Sequence, residues 1–271
     1  MREPAVAGSF YPHRKSEILK MLEQYFGMAA KSAKPEECVA GISPHAGYEY
    51  SGAAAAVTYN SIRNIKSAKT VVFIGPNHTG IGTPVSVSLD DWATPLGVCG
   101  CDRQLAEKII SNSSVCRDDE SAHAAEHSIE VQLPFLQFLN PRARIVCICM
   151  GDTRLETALD LSSSLSKSIS STRDTVLVAS SDFTHYEKAE AAKERDMEAM
   201  KLIEKLDMRG FSDSCRLNGW SICGHGPITA AIGYAKAKGC KKAKLLKYTN
   251  SGEGTGDYSS VVAYSSVIFP K

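Results

Sequence analysis

Hydrophobic positions along the chain fall into two alternating rhythms. Residues 39–43, 71–74, 145–150 and 176–179 are short apolar runs rich in β-branched side chains and bounded by turn residues. Runs of that length and flanking read as strands buried on both faces. Between them the apolar positions recur at helical spacing. Ile18, Leu19, Leu22, Tyr25 and Phe26 predict a helix over 17–29 with Ser16 as its cap. Residues 52–62 read as a helix of small side chains able to lie close on a sheet. Residues 105–110 and 155–169 read as further helices, as does 187–206, with Ala192, Ala199, Ile203 and Leu206 turned inward. Residues 127–139 carry Ile129, Leu133, Leu136 and Leu139 at helical spacing despite Pro134. Residues 223–227 open a helix to about Ala237, since proline is favoured in a first turn. The stretch 84–89 alternates like a half-exposed strand, and 91–97 is a loop or hairpin. Residues 7–12 form an entry loop, 31–37 a polar connection, and 245–249 and 259–269 closing strands.

Strands buried on both faces belong to parallel sheets covered by helices. Strands and helices alternate throughout, with no Pro/Gly/Ser linker and no fixed-period repeat. The expectation is therefore a single α/β domain over residues 1–271, built on a mostly parallel mixed sheet flanked by helices. Two interlocked lobes are the alternative.

Composition narrows the partners. The 271 residues carry 31 Lys+Arg against 30 Asp+Glu, a formal net charge of +1. That balance argues against nucleic acid or a membrane surface as a partner held by long-range electrostatics. No apolar run reaches the roughly 18 residues of a spanning segment, and residues 1–12 lack an apolar signal core. A cytoplasmic protein is expected. The nine cysteines include no Cys-x-x-Cys pair, which disfavours a structural zinc knuckle. Cys99, Cys101, Cys147 and Cys149 read as reduced, mostly buried thiols.

Candidate chemistry gathers at strand ends. The runs 39–43, 71–74 and 176–179 each deliver a histidine within a few residues: His45, His78 and His185, the last preceded by Asp182. In parallel α/β sheets ligands bind beyond the carboxyl ends of the strands. A single loop histidine is more often a cap or surface group than a ligand, but three at the same point of three units argue for one site. Cys223 lies at a predicted helix N-terminus, where the dipole favours a thiolate; a packing thiol is its alternative. Asp182 could equally be a turn residue. Imidazoles with a thiolate suit a mononuclear iron, copper or zinc centre, and a further histidine not bound to the metal could act as acid or base. On a helix His127 and Glu130 would share a face, so they could bond each other or support a ligand, or simply lie on a solvated face. His225 and Tyr48, and more weakly Tyr50 and Tyr186, are candidates to line the pocket; His13 reads as surface.

Seven stretches occur in order: Ala7-Gly8-Ser9-Phe10-Tyr11-Pro12, Pro44-His45-Ala46-Gly47-Tyr48 with Ser51-Gly52, Gly75-Pro76-Asn77-His78, Thr94-Pro95-Leu96-Gly97, Glu126-His127-Ser128-Ile129-Glu130, Ser180-Ser181-Asp182-Phe183-Thr184-His185-Tyr186, and Cys223-Gly224. Together they resemble the Memo (mediator of cell motility) family, which is structurally similar to the class III extradiol, non-haem iron dioxygenases. The resemblance implies an α/β fold like the catalytic subunit of those dioxygenases. It implies that His45 and His78 bind metal, with Cys223 where the dioxygenases have a glutamate, and that Asp182 and His185 form the pair handling substrate and protons. A thiolate is softer than a carboxylate and is oxidised by bound oxygen, so catechol cleavage is disfavoured. Iron (Fe2+) or copper fits the set better than zinc. The resemblance also implies a small-molecule or peptide ligand, and a radical-SAM partner protein as found with prokaryotic relatives. The expected activity is metal-dependent and oxidoreductase-like. The alternatives are a peptide- or partner-binding protein that keeps the pocket without chemistry, and a zinc hydrolase.

Overall fold

The computed structural model describes residues 1–31 and 34–271; the polar connection expected over 31–37 therefore includes Ser32 and Ala33, which lie outside the described residues. The chain opens with α1 (Lys15–Ala29), then β1 (Cys38–Ser43), α2 (Tyr48–Ser61), β2 (Thr70–Pro76) and β3 (Val85–Ser88). A hairpin of β4 (Trp92–Thr94) and β5 (Gly97–Cys99) leads to α3 (Arg103–Ser111), β6 (Cys116–Asp118), α4 (Leu133–Leu139), β7 (Arg144–Met150) and α5 (Leu155–Ser168). Then come β8 (Thr175–Ser180), β9 (His185–Glu187), α6 (Ala189–Glu204), α7 (Met208–Asn218) and α8 (His225–Ala237). β10 (Lys244–Asn250), α9 (Gly252–Thr255) and β11 (Val261–Pro270) finish the chain.

One mixed sheet runs β10-β11-β1-β8-β2-β7-β3-β6, with β9 added against β11. Its centre, β1-β8-β2-β7, is parallel throughout. β11 joins one side and β3 the other, both antiparallel. The expected α/β fold on a mostly parallel mixed sheet is the one observed. Side-chain alternation along the central strands builds two cores. Val71, Phe73, Ile145, Cys147, Val176 and Val178 pack with α1, α2 and α4. Val72, Ile74, Val146, Ile148, Leu177 and Ala179 pack with α5, α6, α7 and α8. Small residues bring α2 close to the sheet, as expected: Ala54, Ala55 and Ala56 are buried, and the Thr58 hydroxyl donates to Ile42 O.

Several elements depart from the sequence reading, each for a local reason. Residues 127–139 are not one helix. A 3-10 turn over Glu130–Gln132 precedes α4, which begins at Leu133 with Pro134 in its first turn. Pro134 has no N–H to give and its ring would clash with the carbonyl four residues back, so a longer helix through it is blocked. Within the stretch 84–89 expected to be half exposed, the four residues of β3 are all buried, because Ser86 and Ser88 find carboxylate partners in Asp119 and Glu120, and only Pro84 and Leu89 at its ends keep exposure. α1 begins at Lys15, without the expected Ser16 cap. The long charged helix stops at Glu204, and Leu206 takes a positive φ of 55° before α7, which the hydrophobic pattern did not reveal. No helix among the described residues is long and apolar enough to cross a membrane.

Candidate metal centre

β1, β8 and β2 are adjacent and parallel, so their carboxyl ends share one edge of the sheet. Just beyond those ends stand His45, Asp182 and His78. His45 is the floor of the site, 2% exposed. Its Nδ1 meets Ser180 Oγ at 2.9 Å, and that contact fixes the tautomer. The Ser180 hydroxyl donates its only proton to Ser128 O (2.7 Å) and already accepts from the Gln132 amide (2.9 Å). It can only accept from the imidazole. His45 therefore carries its proton on Nδ1 and presents the bare Nε2, the form a metal requires. Burial, with the neighbouring imidazoles, holds its pKa well below the usual histidine value.

His78 is oriented by Glu126. The carboxylate accepts from His78 Nδ1 (2.9 Å), from the His78 backbone N–H (2.6 Å) and from Ser128 N–H (2.9 Å). Burial alone would raise the Glu126 pKa, but the bonds to His78 and the backbone outweigh it and hold the group at about 2. A carboxylate on one ring nitrogen fixes the ring's orientation and leaves the other nitrogen free to meet an ion. β2 approaches this loop closely: a Cβ on Gly75 would lie 2.5 Å from Ser128 Oγ. His127 follows Glu126, with Nδ1 3.4 Å from its carboxylate, and stacks on His78 with centroids 4.6 Å apart. Phe10 covers its ring at 4.5 Å. Burial keeps His127 neutral, with a pKa of about 4.

Nitrogens of His45, His78 and His127 all lie within 4.8 Å of one another. Two nitrogens on one tetrahedral ion stand roughly 3.4 Å apart for bonds of about 2.0–2.1 Å, so a small closing of the rings suffices. Cys223 Sγ is 3.2 Å from His45 Nε2, already at a spacing two donors to one ion would have. It accepts the Asp182 backbone N–H at 3.3 Å, and burial pushes the thiol pKa far up. Cys223 is brought there by Gly224: a Cβ on that glycine would lie 2.5 Å from Ser180 O, so the turn entering α8 can touch β8 only without a side chain. The neutral imidazoles of His45, His78 and His127 form a donor set that could hold a divalent transition ion, while Cys223 lies against His45 and outside that group of three.

Asp182 is buried beside this group. Its Oδ1 accepts the His45 backbone N–H at 2.8 Å, its Oδ2 lies 4.0 Å from His45 Nε2, and burial raises its pKa to about 6. His185 stands at the rim of the cleft. Ser221 holds it twice, the hydroxyl accepting its backbone N–H (2.9 Å) and the carbonyl accepting Nδ1–H (2.8 Å). Its Nε2 is thereby left as the proton acceptor. A cleft of about 500 Å³ is lined by His45, His78, His127, Asp182 and His185, with Tyr50 and Tyr186 at its mouth.

Three residues expected at the pocket have other tasks. Glu130 does not pair with His127; it accepts from Arg2, Tyr11 and the N–H groups of Ala5 and Val6. Tyr48 is buried with its hydroxyl on Val131 O. His225 lines a separate hollow with Arg154 and Arg216. The sequence reading overlooked Glu126 as the partner of His78, and Ser180, Gln132 and Ser221 as orienting groups. Glu126 stood directly beside His127 in the motif, and that adjacency was the available signal.

A family model described as Memo-like protein matches residues 2–268. Over 270 residues the chain is 43% identical to a MEMO1 family protein of Methanosarcina barkeri, covering 99% of both chains. It is 45% identical to one of Methanosarcina mazei, over 99% of this chain and 98% of that protein. Among solved structures, an uncharacterized protein of Escherichia coli K12 superposes with a TM-score of 0.51 at 10% identity, covering 84% of this chain and 98% of the other. That likeness speaks to the fold alone.

Proposed function

The chain belongs to the Memo-like protein family, and from that premise we propose a mononuclear redox-metal centre serving an oxidoreductase-type reaction. His45, His78 and Cys223 are its ligands, with His127 as a neutral imidazole in reach of the same ion. The observation that carries the reading is the convergence of three imidazoles within 4.8 Å, with the tautomers of His45 and His78 set by Ser180 and Glu126. Iron or copper is the expected ion, because the thiolate adds softness and one negative charge to the neutral nitrogens. Once bound, the ion would supply electron transfer or Lewis acidity at the floor of the cleft.

The chain's own residues do the rest. Asp182 fixes the His45 backbone and faces the same space. His185, held through its Nδ1 by Ser221, presents Nε2 at the rim, where it takes a proton from a substrate group and returns it. Phe10 and Tyr264 line the same cleft.

Elemental analysis and EPR of anaerobically purified protein test the reading. About one iron or copper per chain is expected, lost in His45→Ala and in Cys223→Ala; full occupancy in both variants overturns it. His185→Ala should keep its metal and lose any oxidation activity the wild type shows. Metal loss in that variant would show the roles misassigned. A second reading, a non-catalytic peptide-binding cleft, is favoured by the exposed rings of Tyr50 and Tyr186 at the mouth, 43% and 78% accessible. It requires that metal-free His45→Ala still captures its partner.

A further inference from the structure

We propose that Arg2 is a positioning residue for the metal centre: it fixes the loop that carries Glu126 and His127, and so sets how tightly an ion is held. The proposal rests on the metal-centre reading above. Arg2 is 7% exposed, and its guanidinium lies 4.2 Å over the Trp92 ring. Its Nε–H donates to His123 O (2.7 Å), one terminal nitrogen to Glu126 O (2.8 Å) and the other to Glu130 Oε2 (2.7 Å). Those three points bracket Glu126 and His127.

Arg2 adds to the side-chain contacts that tie this loop down, among them Glu126 with His78 and Ser128 Oγ with Pro76 O. Residues 119–129 contain neither helix nor strand. Their N–H groups make three bonds to backbone carbonyls: Asp119 N–H to Val87 O on β3 (3.2 Å) at the start, then only the short-range His123 N–H to Glu120 O (3.1 Å) and Glu126 N–H to His123 O (3.3 Å). Arg2 is itself fixed through the main chain, its N–H on Asp91 O and its carbonyl accepting Ala93 N–H, each at 2.8 Å. Glu130 balances the buried charge while gathering the N–H groups of Ala5 and Val6 and the Tyr11 hydroxyl. A planar fork with five donors can serve two carbonyls and a carboxylate at once; an ammonium keeps the charge but not that geometry. Arg2 thus acts on the site through the loop, without touching any of its imidazoles.

Cobalt(II) titration followed by visible absorption tests this on the whole chain, comparing wild type with Arg2→Met, Arg2→Lys and Phe211→Leu. Removing a group that orients a ligand costs about 10–100-fold in metal affinity. Arg2→Met should weaken binding about tenfold or more, and Arg2→Lys by less, with shifted cobalt bands. Phe211→Leu, in the core on the other face, should bind as wild type. Hydrogen–deuterium exchange of amides 123–130 should quicken in both Arg2 variants while α7 is unchanged. Wild-type affinity together with wild-type exchange in Arg2→Lys and Arg2→Met overturns the proposal. Equal loss of affinity in Phe211→Leu does so too, by reducing the effect to general stability. If Arg2→Met does not fold, Arg2→Lys decides alone. If wild type takes up no cobalt, the metal reading fails, and unchanged exchange at 123–130 then sinks the Arg2 proposal separately.

Discussion

Ser180 has one hydroxyl proton, and its destination decides which nitrogen His45 offers to the cleft. With the proton on Ser128 O, the imidazole must donate through Nδ1. Ser180→Ala removes that acceptor and frees the ring to turn or change tautomer. Metal affinity should fall about 10–100-fold with the fold intact, read by cobalt titration beside circular dichroism. His123 is a buried imidazole of another kind: both ring nitrogens lack a hydrogen-bond partner among the described residues, and burial lowers its pKa to about 4. Between that value and the unfolded value of about 6.5 the unfolded chain binds a proton that the folded chain refuses. Its contribution is intact above about pH 6.5 and is lost as pH falls toward 4, by up to about 3 kcal/mol. His123→Phe should flatten that part of the stability profile, measured by urea unfolding at several pH values. The histidines at 45, 78 and 185 were legible because a strand end announces its own position. Glu126 was hidden because a helical reading of 127–139 paired His127 with Glu130, whereas Pro134 delays the helix. Ser180 was hidden because a serine's partner is decided by tertiary contact.

At the scale of elements, the site depends on how closely α8 docks on β8. Gly224 permits the contact, with Ser181 Oγ accepting its N–H at 3.0 Å. Gly224→Ala would force the turn off the strand and carry Cys223 away from His45. A loss of about 1–3 kcal/mol is expected from the overpacking, seen as a lower urea midpoint, together with faster alkylation of Cys223. The central strands were legible because an apolar run such as 71–74, too short for a helix and closed by Gly75-Pro76, fits little but a buried strand. α7 escaped notice because it is short, follows α6 after a break at Leu206, and buries only Phe211, Ser212 and Cys215. β9 and β6 are three residues each, too brief for any periodicity to register.

For the whole molecule, the two cores lie on opposite faces of one sheet, and each central strand feeds both. Trp92 reports on one core and Trp220 on the other. Fluorescence of Trp92→Phe and of Trp220→Phe should therefore show unfolding midpoints offset only by each substitution's own effect on stability, as followed by circular dichroism in the same sample. A second transition seen by one tryptophan alone would mean that one layer melts separately. The cleft's rings stand at graded depth: His45 is 2% exposed, His127 20% and His78 34% by side chain. An acylating reagent such as diethyl pyrocarbonate should consume them from the outside inward, His78 before His127 and His45 last. The order of labelling becomes a depth gauge, and anything lodged in the mouth would stop the clock for every ring behind it.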